Sequence, residues 1–294
     1  MNALLLLCSV LGTVLCEPAI KRSLYDSLRN SEIPWKVVPY ERNIFKDWTL
    51  EEVKNILKAQ PVDVTILKRE EQVLSCDAPE NFDGRDKFKQ CIHPPLDQAN
   101  CGSCWAFSIA ETLSDRLCIN GKDVILAPQD LVSCDISNEG CTGGNILSAM
   151  QYAEEFGVVE ESCFPYGSGS GPTPPCPTKC PSGQAWTKHR CRRGSTALLL
   201  KIDYMKCGIM NGPVSGRFDV YSDFLHYESG VYVRKTEEYI GGHAIKVLGF
   251  GAENGINYWI CENSWGPVWG MAGYFKIGKG ECDIDRYMVT CDAE

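Results

Sequence analysis

The sequence predicts an α+β chain of two lobes, and three observations predict it. Apolar residues recur at helical spacing ahead of a Gly/Pro-rich stretch, Gly167 to Pro181. Beyond that stretch they fall into short β-branched and aromatic runs punctuated by Gly or Asn-Gly. Helices first and strands later argue for helices segregated from a sheet. The composition is ordinary for a globular chain of one or two domains, 44% hydrophobic and 23% charged over 294 residues, which excludes wholesale disorder and a rod.

Taken in order, residues 1–16 run apolar with no charge before Glu17 and are too short to span a bilayer. They read as a secretory signal peptide, because the abrupt Glu17-Pro18 that follows is foreign to a buried core helix. No other uninterrupted apolar run approaches spanning length, so no membrane span is expected. The chain is placed in the secretory pathway, in lysosome-like vesicles or outside the cell.

Residues 17–76 balance 10 acidic against 10 basic residues, whereas 77–294 carries 28 against 19, so the net charge of -9 lies in the larger part. Thr49-Leu50-Glu51-Glu52 ahead of Val53, Ile56 and Leu57 predicts a short helix opened by a capping box. So small a segment cannot bury a core of its own. It is expected to pack on the body as a pro-segment or to hang as a flexible arm. Lys68-Arg69-Glu70-Glu71 reads as an exposed linker, and exposure is all a processing site needs.

In the body, Trp105, Ser108, Ile109, Thr112, Leu113 and Leu117 predict a helix after Cys104, and Ile146, Met150 and Ala153 another that stops before Gly157. Gly230 to Val233, Ala244 to Phe250, Ile256 to Cys261 and Tyr274 to Ile277 predict strands. The acidic balance, with no basic cluster beyond Arg190, Arg192 and Arg193, argues against nucleic acid as a partner.

Of 17 cysteines, Cys8 and Cys16 leave with the signal, and the remaining 15 are odd in number, so at least one thiol stays unpaired in an oxidising compartment. Arithmetic does not distinguish a stray core cysteine from a nucleophile. The chain has no Asn-x-Ser/Thr sequon, so N-glycosylation is not expected.

The stretch Gln98-Ala99-Asn100-Cys101-Gly102-Ser103-Cys104-Trp105-Ala106-Phe107-Ser108 places two cysteines three apart at a predicted helix start. Zinc ligation would want a second pair or two spaced histidines, and none of the four histidines is so spaced. A redox pair would want a strand-helix unit beside it. A nucleophile behind a structural cysteine wants a distant histidine and amide. Gly241-Gly242-His243-Ala244-Ile245 and Cys261-Glu262-Asn263-Ser264-Trp265-Gly266 supply them, 139 and 159 residues beyond Cys104. This combination resembles the papain family of cysteine proteases, whose Cys-Gly-Ser-Cys-Trp signature is a stock example of the pattern. Tyr221-Ser222-Asp223-Phe224-Leu225, Ser229-Gly230-Val231-Tyr232 and Asn211-Gly212-Pro213-Val214 resemble its cathepsin B branch.

The resemblance implies a papain-like fold, a helical left lobe and a β-barrel-like right lobe with the active-site cleft between them. It implies a signal peptide over 1–16, an inhibitory propeptide over 17–76 and a peptidase domain over 77–294. The activity implied is that of a cysteine endopeptidase made as a secreted zymogen. Cys104 would be the nucleophile, its thiolate favoured by the helix N-terminus and by a protonated His243. Asn263 would orient the imidazole, and Gln98 with the Cys104 backbone N–H would hold the oxyanion. Gly102, Gly143, Gly144, Ile146, Arg217, Ala244, Trp265 and Tyr287 would line the substrate groove. Implied disulfides pair Cys91 with Cys118, Cys101 with Cys141, Cys134 with Cys176, and Cys163 with Cys180. Cys76, Cys191, Cys207, Cys261, Cys282 and Cys291 stay unassigned, and His93, His189 and His226 are given surface or packing roles. No cofactor and no metal is expected. Partners would be protein and peptide substrates, the chain's own propeptide and cystatin-like inhibitors, with the enzyme a monomer. A non-catalytic binding protein on the same fold and a zinc-binding module are the alternatives.

Two departures bear on substrate choice. Cathepsin B carries a histidine-bearing loop that closes one end of its cleft, but Cys163 to Cys180 here contains no histidine, so an open cleft and endopeptidase action are expected. Tyr287 stands where that branch has a pocket glutamate, and Arg217 replaces a small residue facing the same pocket. Apolar or aromatic side chains are therefore expected in the pocket for the residue before the cleaved one.

Overall fold

Two large apolar clusters hold most of the core among the described residues, with two smaller ones beside them, and each large one grows from one of the two sequence periods. The structure, a computed structural model, describes residues 17–63, 74–181, 183 and 185–294. The expected signal peptide and the Lys68 to Glu71 linker lie outside the described residues.

The first cluster is helical. Trp105, Ile109, Leu113 and Leu117 of the helix Cys104–Ile119 pack with Leu131 of the helix Pro128–Cys134 and with Ile146, Met150 and Ala153 of the helix Ile146–Glu155. The Cys104–Ile119 helix is buried on nearly all sides, which explains why it is apolar on average and only weakly amphipathic. Asn145 starts the Ile146–Glu155 helix by accepting from the N–H groups of Leu147 and Ser148, and Gly157 ends it in a left-handed conformation, φ +78°.

The second cluster sits on the sheet. Its strands run in the order Trp35–Val37, Tyr227–Tyr232, Tyr274–Gly278, Ile256–Glu262, Tyr239–Glu253, Val214–Tyr221, Met288–Thr290 and Ala197–Leu199, with Phe82–Asp83 paired onto Tyr239–Glu253. The path is open at both ends, so the closed barrel implied by resemblance is not formed by the described strands. The division is not strictly sequential either. Tyr287, Val289, Cys291 and Ala293 return from the last strand to the helical cluster. The strand Val214–Tyr221 was not among the predicted runs, because Gly216, Arg217 and Asp219 break its apolar pattern. Arg217 and Asp219 neutralise one another instead, at 2.8 Å.

Six disulfides are formed among the described residues. Four join the pairs implied by resemblance, Cys91–Cys118, Cys101–Cys141, Cys134–Cys176 and Cys163–Cys180. Cys76–Cys207 and Cys191–Cys291 join residues that were left unassigned. Cys104, Cys261 and Cys282 are free, which accounts for the odd count.

Residues 17–63 are docked on the sheet lobe rather than hanging free. The amphipathic helix Arg22–Arg29, absent from the sequence reading, buries Tyr25 and Leu28, rests Leu24 on the core and leads to Trp35–Val37, added antiparallel to Tyr227–Tyr232. Thr49 and Glu52 close the expected capping box of the helix Leu50–Ile56. Leu50, Val53, Ile56 and Leu57 join the sheet-lobe core. These four buried side chains supply on the order of 1.5–3 kcal/mol each against solvent exposure. From Leu57 to Val62 the chain then runs into the groove between the clusters.

His226, at the end of the turn Ser222–His226, lies under this segment. It is fully buried, and neither ring nitrogen has a hydrogen-bond partner among the described residues. The nearest ring is that of Tyr25, 6.2 Å away, itself overlain by Arg22 and Arg29. Burial pushes the His226 pKa down from 6.5 to about 4. An imidazole held neutral by burial binds its proton more readily once exposed, so the docked arrangement is favoured above pH 6.5 and loses ground as the pH falls from there toward 4. Hydrogen exchange on the full chain carrying Cys104→Ala should show protection of the Arg22–Arg29 helix falling across that window. With His226→Leu, protection should persist to lower pH. Identical profiles for the two chains would contradict the assignment.

Candidate active site

Helix and sheet meet at Cys104. The residue opens its helix and is fully buried, with Cys101 just ahead of it pinned to Cys141. Backbone N–H groups of Ala244, Lys58 and Trp105 point at the sulfur and favour its anion, as does the charge of Arg217. Burial outweighs them and pushes the thiol pKa up. Because Ala244 directly follows His243, the sulfur and the imidazole belong to one small region of the groove.

The strand Tyr239–Glu253 carries His243, and Asn263 follows the strand Ile256–Glu262 paired beside it. The Ser264 backbone N–H donates to Asn263 Oδ1 at 2.9 Å, which fixes which end of the amide is oxygen. That same oxygen lies 2.6 Å from His243 Nε2, so Nε2 carries the hydrogen and Nδ1 the lone pair. Nδ1 is buried and has no hydrogen-bond partner among the described residues. Trp265 stacks on the ring with centroids 4.9 Å apart and an interplanar angle of 28°, and Phe218 meets it edge-on. Burial lowers the His243 pKa to about 4, against a smaller raising effect from Asn263. With residues 17–63 seated, thiol and imidazole are therefore both held neutral.

Gln98 is fully buried and its amide is held at both ends. Ser264 Oγ donates to Oε1 at 2.6 Å, and Nε2 donates to the Cys101 and Ile56 carbonyls, each at 2.9 Å. A carbonyl oxygen of residues 17–63 thus sits on the donor expected to serve an oxyanion. The Gln98 carbonyl in turn accepts from Tyr166, whose hydroxyl also meets Ser103 Oγ.

The expected groove residues line the path of the same segment. Gly144 accepts from Gln60 N–H at 2.8 Å and donates to the Lys58 carbonyl at 3.2 Å. A Cβ at Gly143 would lie 2.7 Å from the Lys58 carbonyl oxygen, so glycine there is what lets the backbone lie alongside, whereas a Cβ at Gly144 would overlap the Trp105 ring, 2.5 Å from Cδ2. Gly102 donates to the Cys141 carbonyl, and Gly143 accepts from Glu139 N–H. Ile146, Ala244 and Tyr287 form the apolar wall around Ala59 and Val62. Arg217 donates from Nε to the Ala59 carbonyl at 3.1 Å, and the Tyr287 hydroxyl accepts from Val62 N–H at 3.1 Å. Two residues that sequence reasoning passed over, Ser264 and Tyr166, hold Gln98 in place. Ser264 lies inside a quoted motif, but its small side chain gave no signal of its own.

One group of metal-ligating residue types comes together among the described residues, His93, Cys118 and Asp123. Cys118 is oxidised with Cys91, and the His93 nitrogens are engaged by Asp115 and Asp123 at 2.7 and 3.0 Å, so this group is better read as a hydrogen-bonded corner. The main site offers a thiol, a lone pair aimed from a fixed imidazole and a preorganised amide donor. That set is suited to acyl transfer through a thioester.

Residues 78–291 match the model of the papain family cysteine proteases. Over 288 residues the chain is 36% identical to Cathepsin B-like CP3 of Giardia intestinalis, covering 92% of this chain and 94% of that protein. It is 38% identical over 252 residues to a gut-specific cysteine proteinase of Caenorhabditis elegans, covering 76% and 77% of the two chains. The fold matches the structure of proCathepsin B S9 from Trypanosoma congolense with a TM-score of 0.86 and 30% identity, over 94% of this chain and 99% of that one. Fold, site and relatives define a cysteine-type peptidase. The chain belongs to the papain family of cysteine proteases, and its relatives there are cathepsin B-like.

The hold of Ser264 on Gln98 can be measured. Gln98→Ala should cost about 3 kcal/mol of transition-state stabilisation in the processed enzyme. Ser264→Ala, which keeps the amide but frees it to turn, should lower kcat roughly tenfold with little change in KM. An unchanged kcat in Ser264→Ala would contradict the positioning role.

Proposed function

We propose that the chain is the zymogen of a cysteine endopeptidase, with residues 17–63 as its inhibitor and Cys104, His243, Asn263 and Gln98 as its working groups. The observation that carries this is the buried Nδ1 lone pair of His243, set by the Asn263 hydrogen bond, in the same groove as the sulfur that takes the Ala244 N–H. Release of the segment admits water and lifts the burial that holds both groups neutral. The proton then passes from Cys104 Sγ to His243 Nδ1, and the thiolate adds to a substrate carbonyl seated where the Ile56 carbonyl now lies. Gln98 Nε2–H and the Cys104 N–H hold the oxyanion as it forms. Collapse breaks the C–N bond while His243 returns its proton to the leaving amine. Water, deprotonated by His243, then hydrolyses the thioester and regenerates the thiol.

Cys76 bears on where the chain is cut. It is bridged to Cys207, so a cut after Cys76 would leave residues 17–76 attached through sulfur. A cut on the N-terminal side of Cys76 frees the segment, and the proposed boundary lies there. The lack of histidine between Cys163 and Cys180 supports an open cleft and internal cleavage. Secretory or lysosome-like placement and action as a monomer belong to the same reading, and cystatin-like proteins would compete for the groove.

Acidify the full chain and its Cys104→Ala variant, then treat both with an epoxide inhibitor of papain-like enzymes. Label should appear only on Cys104 and only once the segment is lost, with a new N-terminus upstream of Cys76. The processed enzyme should cut a short test peptide internally faster than it releases dipeptides from the C-terminus. Equal labelling of the two chains would overturn the assignment.

A further inference from the structure

The two donors expected to hold an oxyanion sit on opposite sides of an irregular turn. Gln98 supplies its side-chain amide and Cys104 its backbone N–H, and residues 99–103 between them belong to no helix or strand. Ala99 holds a left-handed conformation there, φ +49°, and Cys101 is pinned to Cys141. Tyr166 reaches across this turn from the stretch after Cys163. Its hydroxyl lies 2.9 Å from the Gln98 carbonyl oxygen and 2.9 Å from Ser103 Oγ. A carbonyl oxygen only accepts, so the single hydroxyl hydrogen goes to Gln98 and Ser103 donates to the phenolic oxygen. Ser103 is the N-cap of the Cys104 helix, where a serine hydroxyl ordinarily accepts from the first free N–H groups of its helix. Here it makes no such bond, and the fully buried side chain is turned to Tyr166 instead.

Tyr166 is itself fastened on several sides. Its N–H donates to Glu161 Oε1 at 2.7 Å, and its ring meets Phe107 of the Cys104 helix edge-on at 4.7 Å. The next two residues, Gly167 and Ser168, donate their N–H groups to Oε1 of the buried Gln129, at 2.8 and 3.0 Å. Burial pushes the Tyr166 pKa up to about 12, so the hydroxyl keeps its hydrogen through the acidic and neutral range. A hydroxyl bonded on both sides of the turn fixes the separation of the two donors, and neither bond involves Cys104 Sγ or His243. We propose that Tyr166 is a positioning residue of the oxyanion site, setting the Gln98 amide and the Cys104 N–H at the spacing that one developing anion requires. This rests on the protease reading and adds what Ser264 does not supply. Ser264 Oγ fixes the rotation of the Gln98 amide, whereas Tyr166 fixes the distance between that amide and the second donor. Donors set in place beforehand stabilise the anion without reorganising as it forms, and a displaced donor loses that advantage.

The test compares Tyr166→Phe with the unsubstituted processed enzyme, active sites counted by epoxide label. The substitution keeps the ring and its contact with Phe107, and it should lower kcat roughly tenfold with little change in KM. Affinity for a peptide aldehyde, whose adduct with the thiol puts an oxygen where the oxyanion forms, should fall by a similar factor. Alkylation of Cys104 by iodoacetamide forms no oxyanion and should keep its rate and pH dependence. Ser103→Ala should reproduce the loss from the other side of the turn, and adding it to Tyr166→Phe should cost little more, because either change breaks the same link. Should Tyr166→Phe fail to fold, Ser103→Ala carries the same comparison. Unchanged kcat and aldehyde affinity, or alkylation that slows in step with turnover, overturns the positioning role, while label and turnover in the unsubstituted enzyme leave the protease reading intact. An unsubstituted enzyme that takes no label and cuts no peptide overturns both.

Discussion

The hydrogen bond between His243 Nε2 and Asn263 Oδ1 is the constraint on which the site depends. Imidazole has two nitrogens and can serve as a base through either, so its chemistry is undefined until one is committed. Asn263 commits Nε2 without adding a charge, and the Ser264 N–H commits Asn263 by fixing which end of its amide is oxygen. Trp265 stacks on the ring, while Phe45 of the N-terminal segment meets Trp265 edge-on at 5.1 Å. The N-terminal segment and His243 therefore share a packing partner.

A second constraint joins the two lobes behind the site. Lys246, three residues beyond His243, is wholly buried with Nζ 2.6 Å from Asp115 of the Cys104 helix and 2.8 Å from Glu262, the residue before Asn263. One cation thus ties the Cys104 helix to the strand that carries His243 and to the strand that leads into Asn263. Removing one partner of such a buried cluster leaves an uncompensated charge, which typically costs 3–5 kcal/mol.

The legible parts of this molecule were those with a local signature. The capping box at Thr49, the helical stripe from Trp105 to Leu117 and the four strand runs each reflect short-range periodicity, and all have counterparts in the fold. The Cys104, His243 and Asn263 motifs were legible because each keeps its distinctive neighbours in sequence. What stayed hidden depends on long-range pairing. The strand Val214–Tyr221 hides its period behind an Arg217–Asp219 pair. Cys76–Cys207 spans 131 residues and leaves no spacing signal. The burial of Cys104 and His243 likewise needs coordinates to see.

The central claim is that one groove holds Cys104 and His243 neutral while residues 17–63 are bound and lets them exchange a proton once the segment is gone. The most direct measurement is the pH dependence of iodoacetamide alkylation at Cys104 in the intact chain and in the processed enzyme. Peptide mass spectrometry separates this thiol from Cys261 and Cys282. Processed enzyme should react at Cys104 well below the ordinary thiol pKa of about 8.5, and His243→Ala should move that limb upward. The intact chain should stay unreactive across the same range. A single profile shared by both forms, or one indifferent to His243, would contradict the account.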